Sequence, residues 1–306
     1  NYNGVWSLST QYQNAADWLR LPAFGIFAGG GRASIDIFNF TTTGNATDFG
    51  DLSSSITYLA GVSSNTRGVL GGGGGPINVM QYITILSTGN AQDFGDLIAA
   101  IESPSGLSNS TRGIFLGGLA SGNTAVNTIQ YITIASTGNA QDFGDLTGAK
   151  YQAAGTASTT RGLKGGGGGT RTNVIEYITI ASTGNAQDFG DLSAAKYGLS
   201  AAASNTRSLF AGGNASGATR LDVIEYVTTA STGNVTDFGN LNVGRTNVSG
   251  TSGGGRAVIG GGYSSSGLTN VMDFVTISTT GDAADFGDLV ANTNSAGSCS
   301  NSHGGL

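Results

Sequence analysis

The chain has 306 residues, including 53 glycines and only 3 prolines, with a formal net charge of −6 and an isoelectric point near 4.6. With only 10% charged residues, its composition excludes a charge-rich disordered chain and a helical protein rich in Leu, Glu and Lys. No apolar run reaches the roughly 18 residues of a membrane-spanning helix, and Lys and Arg are too sparse for a nucleic-acid interface, so we expect neither partner.

The N-terminal segment differs from the rest of the chain. Both tryptophans, Trp6 and Trp18, lie here, and the run T-Q-Y-Q-N-A-A-D-W-L-R-L is compatible with a short helix. We expect residues 1–22 to be a connector and residues 23–306 to form one domain.

That domain is built from an internal repeat. The phrase T-G-N-A-x-D-F-G-D-L, or a close variant, occurs six times at spacings of 45 to 49 residues. A period in this range is typical of propeller blades and too long for most helical solenoids. The first aspartates of the D-F-G triplets are Asp48, Asp93, Asp142, Asp188, Asp237 and Asp285.

One unit predicts four short strands separated by turn residues. We name them a (Leu199 to Ser204), b (Arg207 to Gly212), c (Asp222 to Thr228) and d (Val235 to Leu241). Strand a consists mostly of small residues, which fit where inner strands converge on a crowded axis. Strand c is apolar on both faces, as expected for a strand buried between neighbouring blades.

The two ends of the domain complete each other. Phe24 to Gly29 aligns with strand b, so the first blade has no strand a, whereas Ser295 to His303 aligns with strand a and its turn. A C-terminal strand pairing with the N-terminal strands would close the ring and remove exposed edges. The sequence therefore predicts an all-β, six-bladed propeller; a seventh blade would need another unit, and none is present.

Several sequence motifs in the repeats resemble those of a known family. The R-x-x-x-x-G-G ending, the strand-c pair Glu176 and Tyr177, and the period resemble Kelch-type propellers. The run E-Y-I-T-I-A-S-T-G-N-A-Q-D-F-G-D-L, with S-N-T-R-G after it, resembles Kelch-like repeats of structural proteins from tailed phages, marine cyanophages especially. G-V-W-S-L-S-T-Q-Y resembles the lead-in that such proteins carry. The resemblance implies a virion surface protein, such as a tail fibre or capsid decoration, with other virion proteins as partners.

Repeated charges form columns. The D-F-G-D motifs hold 11 of the 19 acidic residues, and an arginine column holds 5 of the 13 basic ones. Together these columns account for the net charge. The basic column comprises Arg67, Arg112, Arg161, Arg207 and Arg256, with His303 in the sixth position. The strand-c acceptors are Asp36, Gln81, Gln130, Glu176, Glu225 and Asp273. We expect a ring of charge-assisted hydrogen bonds joining the column to these acceptors and the D-F-G aspartates.

Motifs of catalysis are weak. The D-F-G triplets lack a kinase catalytic loop, and the glycine runs at Gly71 and Gly165 lack a phosphate-loop ending. With one Cys and one His, neither a nucleophilic triad nor a soft-metal site is expected. Glu102 and Asp282 break the repeat but lie in different units. We therefore expect no enzyme activity and no cofactor, and retain a secreted bacterial adhesin or glycan-acting enzyme as an alternative.

Loop variation separates two rims. The a-to-b and c-to-d turns are nearly uniform, whereas the b-to-c and d-to-a loops, which share the opposite rim, vary in length and content. Binding residues usually lie on such loops, so we expect this rim to contact a host-surface glycan or protein. A purely structural decoration role is the main alternative. The candidate contact residues are Arg32, Lys150, Tyr151, Arg171, Lys196, Tyr197, Arg220, Arg245 and Tyr263.

Overall fold

The computed structural model describes residues 22–216 and 219–306, which form six small antiparallel sheets arranged as a six-bladed β-propeller. The predicted connector lies outside the described residues except for Pro22. Across the described part of the chain, no helix combines the length and apolar character needed to cross a membrane.

Each blade runs a, b, c, d from the axis outward. Blade 1 consists of β1 (Phe24–Ala28), β2 (Arg32–Asn39) and β3 (Thr47–Ile56), with β25 (Gly297–Ser300) as its strand a. Blade 2 consists of β4 (Ala60–Ser63), β5 (Arg67–Gly71), β6 (Ile77–Thr84) and β7 (Gln92–Ile101). Blade 3 consists of β8 (Ser105–Ser108), β9 (Arg112–Ala120), β10 (Thr124–Thr133) and β11 (Gln141–Asp145).

The second half repeats the pattern with one addition, a short strand β22 in the last blade. Blade 4 consists of β12 (Ala154–Ala157), β13 (Arg161–Gly165), β14 (Val174–Thr179) and β15 (Gln187–Asp191). Blade 5 consists of β16 (Ser200–Ala203), β17 (Arg207–Ala211), β18 (Val223–Thr228) and β19 (Thr236–Asn240). Blade 6 consists of β20 (Ser249–Gly253), β21 (Arg256–Gly260), β22 (Tyr263–Ser264), β23 (Gly267–Thr276) and β24 (Ala284–Thr293).

Apolar cores lie between neighbouring blades. Phe189 of blade 4 belongs to one buried cluster with Phe210 and Val227 of blade 5. Side chains on a strand alternate between its faces, so the D-F-G phrase buries its phenylalanine and exposes the aspartate before it. The motif thus marks the outermost strand and supplies one anchor to each interblade core.

The predicted ring closure is confirmed. Strand β25 pairs antiparallel with β1, from Gly25 opposite Ser300 to Ala28 opposite Gly297. The Asn301 side chain accepts a hydrogen bond from the Phe24 amide at 2.8 Å. Ser64 accepts the equivalent bond from Arg67 in blade 2. The closure therefore rebuilds an ordinary a-to-b turn from two distant parts of the chain.

The same alignment corrects the position of His303. Phe24 begins β1 as Arg67 begins β5, so Phe24 occupies the sixth place of the arginine column. His303 lies instead in the axial channel, where its Nε2 atom is 3.1 Å from the Ser63 carbonyl oxygen. In the register of the strands Asn301 takes the place of Ser64, so His303 takes the place of Thr66, one residue before the arginine position.

The repeated T-G-N and D-F-G-D phrases join adjacent blades. The Gly184 amide donates to the Phe143 carbonyl at 2.7 Å, and the Asp145 amide donates to the Asn185 side chain at 3.0 Å. Equivalent bonds form at all six blade interfaces. Asp282 replaces the asparagine at one of them, so this repeat-breaking acid has a structural role.

This close approach explains the glycine of D-F-G. Gly144 has a φ of 146°, and a Cβ atom there would lie 2.5 Å from the Gly184 carbonyl oxygen. A side chain would clash with the neighbouring backbone, which cannot move without breaking the interblade bonds. The close contact between neighbouring blades therefore requires glycine at this position.

The arginine column joins blades, but with partners other than those predicted. The Arg161 guanidinium lies 4.5 Å from the Tyr177 ring centre in its own blade. It donates to the carbonyls of Thr229 and Ala230 in the next blade at 3.1 and 2.9 Å. The other four column arginines, Arg67, Arg112, Arg207 and Arg256, stack on an aromatic ring and bind carbonyls in the same way.

The predicted ion pairs of this column are therefore wrong. In residues 22–216 and 219–306 no ion pair includes a column arginine or a D-F-G aspartate. The first aspartate of each motif faces solvent: Asp48, Asp93, Asp142, Asp188, Asp237 and Asp285 are all exposed. The arginines instead bind carbonyls in or beside the c-to-d turn of the next blade.

Candidate functional site

The variable loops form one face, as predicted. Antiparallel bridges join the d-to-a loop before a blade to the b-to-c loop of that blade, at Tyr151 with Gly168 and at Tyr197 with Asn214. We call this surface the b–c face. The opposite surface, the a–b face, carries the uniform turns that the column arginines connect.

Three predicted contact residues form ion pairs with acids inside the blades. Lys196 and Arg245 are 0% and 1% exposed, and Arg32 is half-buried. Each pairs with a buried strand-c carboxylate, namely Glu225 at 3.0 Å, Asp273 at 2.6 Å and Asp36 at 2.5 Å respectively. The prediction of ligand contact is wrong for Lys196 and Arg245, because their side chains reach inward to compensate buried charge.

A fourth base completes this pattern and was missed in the sequence. Lys164 on β13 lies 3.4 Å from Glu176 and is 2% exposed. Desolvation lowers the pKa of Lys164 and of Arg245, and raises the pKa of Asp36. The sequence does contain a signal for this residue. Lys164 is a base at the fourth position of strand b, where other blades have the apolar residues Leu70, Phe115 and Phe210.

The strand-c acceptors tie each blade to the one before it. Glu176 accepts a hydrogen bond from the Thr147 amide at 2.6 Å, and Gln81 accepts one from the Ser53 amide at 2.8 Å. Among the described residues, each of the four acidic acceptors has a paired base, whereas Gln81 and Gln130 have none. The bases thus neutralise acids at positions where, in two other blades, an uncharged glutamine accepts the same backbone hydrogen bond.

Tyr151, Arg171 and Tyr197 come together in a groove of about 670 Å³ between blades 4 and 5. We call it the rim groove. Its described lining is Tyr151, Gly168, Gly169, Thr170, Arg171, Ala194, Ala195, Tyr197, Ala215 and Ser216. Two b-to-c loops and two d-to-a loops therefore build a single concave surface.

Arg171 is exposed but held in place. Its guanidinium carbon lies 4.9 Å from the Tyr197 ring centre, and one guanidinium nitrogen donates to the Asn214 side chain at 3.1 Å. A cation stacked on an aromatic ring gains about 0.5–1 kcal/mol at an exposed site. The stack and the hydrogen bond orient the guanidinium at the edge of the groove before any ligand arrives. Asn214 was not identified from the sequence.

Tyr151 forms the other wall of the groove. Its ring lies against Gly168, where an added Cβ atom would lie 2.9 Å from two ring carbons. The glycine run Gly165 to Gly169, recognised in the sequence only as loop glycines, thus leaves room for an aromatic ring at this point. Lys150, beside it, donates to the Thr170 carbonyl at 2.8 Å and steadies the loop.

The remaining predicted contact residues lie outside the rim groove. Tyr263 is exposed on another loop of the b–c face, and Arg220 is exposed on the blade 5 b-to-c loop, where it bridges Asn214. Neither residue lines the groove. The face therefore concentrates the predicted set into one three-residue cluster, with two scattered exposed residues.

The chemistry of the rim groove is stacking and hydrogen bonding. Its described lining contains no carboxylate, imidazole or thiol. Within residues 22–216 and 219–306, no three His, Cys, Asp or Glu side chains cluster as metal ligands would. Cys299 is buried, and desolvation raises the pKa of its thiol to about 12, so it is a packing residue.

Comparison with known proteins adds no family assignment: no family model matches the chain, and no curated protein is significantly similar to it.

Proposed function

We propose that this protein is a non-catalytic binding propeller that contacts a host-surface glycan or protein through the rim groove. The observation that carries the proposal is the pre-oriented Arg171, stacked on Tyr197 and facing Tyr151 across the groove. Loops on a rigid scaffold are the usual location of binding residues, and here the scaffold is a closed ring.

The residue types suit this role. Tyrosine and arginine are enriched among residues that dominate binding energy at interfaces. A tyrosine ring presents an apolar face and a polar tip, which fits the mixed surface of a sugar ring. The planar guanidinium binds carboxylates through two parallel hydrogen bonds, so Arg171 favours an acidic sugar or an acidic side chain.

Display on a phage particle is the second part of the proposal. It is supported by the resemblance of the E-Y-I-T-I-A-S-T-G-N-A-Q-D-F-G-D-L phrase to Kelch-like repeats of phage structural proteins. In this proposal the protein is located on the virion surface and has other virion proteins as partners. Phage tail or capsid genes beside this gene would support the assignment, and genes for bacterial secretion would contradict it.

A glycan array with neutral and acidic saccharides tests the groove. We expect binding of carboxylate-bearing glycans, with at least about a tenfold loss of affinity, or 1.4 kcal/mol, in both Arg171→Ala and Tyr197→Ala. Tyr263→Ala is the matched control, because Tyr263 is exposed on the same face in a loop that does not line the groove. A pull-down from host-cell envelopes covers a protein ligand. Absence of binding in both assays, or equal binding by all three variants, would refute the proposal.

A further inference from the structure

Residues 302–306 close the axial channel at the a–b face. They follow β25 and turn across the channel, where Gly305 packs on the Ser108 carbonyl of blade 3 and Gly304 on the Ser204 backbone of blade 5. A Cβ atom on Gly304 would lie 2.6 Å from the Ser204 carbonyl oxygen, and one on Gly305 would overlap the Ser108 oxygen. The two glycines therefore allow this segment, which we call the tail latch, to fit closely between the blades.

His303 holds the tail latch to blades 2 and 3. Its Nε2 atom lies 3.1 Å from the Ser63 carbonyl oxygen and 3.3 Å from the Ser108 hydroxyl oxygen. Its Nδ1 atom accepts a hydrogen bond from the Gly305 amide at 3.1 Å, and the Leu306 amide donates to the His303 carbonyl at 3.0 Å. The imidazole thus connects the latch to the ring of blades and also stabilises the turn within the latch.

The two backbone partners of His303 determine where its proton lies. A carbonyl oxygen can only accept, so the bond to Ser63 requires a proton on Nε2. A backbone amide can only donate, so the bond from Gly305 requires Nδ1 without a proton. Only the neutral ring with its proton on Nε2 satisfies both partners. A second proton on Nδ1 would face the Gly305 N–H group, and this hydrogen bond of the latch would be lost.

No neighbouring charge compensates a protonated His303. The ring lines a cavity of about 60 Å³ between the a strands, and the described lining contains no Asp, Glu, Lys or Arg. Cys299 is the other titratable residue of this lining, and it stays neutral because burial raises the pKa of its thiol to about 12. Burial lowers the pKa of His303 to about 4, although the Ser63 carbonyl opposes this shift. A charged imidazole is therefore unfavourable while the latch is in place.

We propose that the tail latch is a pH-sensitive closure of the axial channel, which opens at the a–b face when His303 is protonated. The released imidazole is solvated by water, so the open form binds the proton more tightly than the closed form does. The closed form therefore loses stability as the pH falls from about 6.5 to about 4. The ring of blades stays closed, because the pairing of β25 with β1 ends at Ser300, before the latch begins.

Amide hydrogen exchange measured by NMR at pH 7 and pH 4 tests the proposal. We expect the protection factors of the Gly305 and Leu306 amides to fall by about 10- to 100-fold between the two pH values, whereas the amides of β1 and β25 keep theirs. The nitrogen chemical shifts of His303 should show a neutral ring with its proton on Nε2 at pH 7, and a pKa well below 6.5.

A Gly305→Ala variant opens the latch without changing the imidazole. Its methyl group would overlap the Ser108 carbonyl, so we expect Leu306 to be unprotected already at pH 7 and the pKa of His303 to rise toward 6.5. Gly148→Ala is the control, since a Cβ atom there meets nothing, and it should keep both native values. Full protection of the latch at pH 4, an equal loss of protection in β1, or a native His303 pKa in Gly305→Ala would overturn the proposal.

Discussion

The contribution of the buried Lys164–Glu176 ion pair to stability can be tested by replacing it with the uncharged residues that blade 2 has at the same positions. Blade 2 has Leu70 and Gln81 at the equivalent positions, with no charge at either. The variants are Lys164→Leu, Glu176→Gln and the double change, which copies blade 2 into blade 4.

The expected magnitudes follow from burial. Lys164 and Glu176 are 2% and 4% exposed, and removing one partner of such a pair costs about 3–5 kcal/mol because a charge is left alone in the core. Replacing both by well-packed residues is close to neutral. We therefore expect each single variant to lose about 3 kcal/mol or more. The double variant should stay within about 1 kcal/mol of the native protein, since its glutamine oxygen can still accept the Thr147 amide hydrogen bond.

The pH dependence provides a second check. Burial lowers the pKa of Lys164. In Glu176→Gln this lysine also loses its acid partner, so the folded state binds the proton still more weakly than the unfolded chain does. Stability relative to the native protein should then recover as the pH rises from 7 toward the unfolded value of about 10.4. The double variant should show no such recovery.

Denaturant unfolding of all four proteins at pH 7 gives the coupling energy directly, and the same measurement at pH 9 tests the recovery of Glu176→Gln. A Lys164→Leu variant as stable as the native protein would refute the reasoning, as would a double variant that loses the sum of the two single losses. Either result would mean that water or another group already compensates Glu176.

Three further predictions concern the scaffold. Arg161→Ala should lose about 2 kcal/mol, since it removes charged hydrogen bonds and a stacked cation, whereas Arg171→Ala should lose under about 0.5 kcal/mol in thermal unfolding. Gly144→Ala should lower stability by more than about 2 kcal/mol, and Gly148→Ala, where a Cβ atom meets nothing, should not. Burial lowers the pKa of His303 to about 4, so the unfolded chain binds its proton more tightly. At most about 3 kcal/mol should be lost as the pH falls from about 6.5 to 4, and a His303→Ala variant should lack this dependence.

The architecture could be predicted because every blade repeats it. Six D-F-G phrases at a blade-like period determine the number of sheets, and the unmatched strands at Phe24 and Gly297 determine how the ring closes. Loop variation located the b–c face. These inferences need only local alternation, turn residues and self-comparison, all of which a single sequence contains.

The pairing of charges could not be predicted in this way. One arginine, one strand-c acceptor and one D-F-G aspartate occur in most repeats, and counting cannot tell which of them meet. The arginines lie at the a–b face beside carbonyls of the next blade, whereas the strand-c acids are compensated by bases from strand b, strand c or the d-to-a loops. Only the three-dimensional register distinguishes exposed Arg171 from buried Lys196.

One signal that could have been found lies two residues before each strand a. The six residues there are Tyr58, Ser103, Gln152, Gly198, Asn247 and Ser295, and this column is visible by alignment. Their positive φ angles are not visible in the sequence, because the backbone conformation emerges only when the six blades assemble.

A comparison of two stacked arginines on opposite faces tests most directly whether binding is confined to the b–c face. Arg171 stacks on Tyr197 at 4.9 Å on the b–c face, and Arg112 stacks on Tyr131 at 4.7 Å on the a–b face. Glycan affinity and unfolding temperature are measured for Arg171→Ala and Arg112→Ala. We predict that the first variant loses affinity at an unchanged unfolding temperature, and that the second unfolds at a lower temperature with its affinity intact. Loss of affinity in Arg112→Ala, with native binding by Arg171→Ala, would contradict the assignment of the two faces.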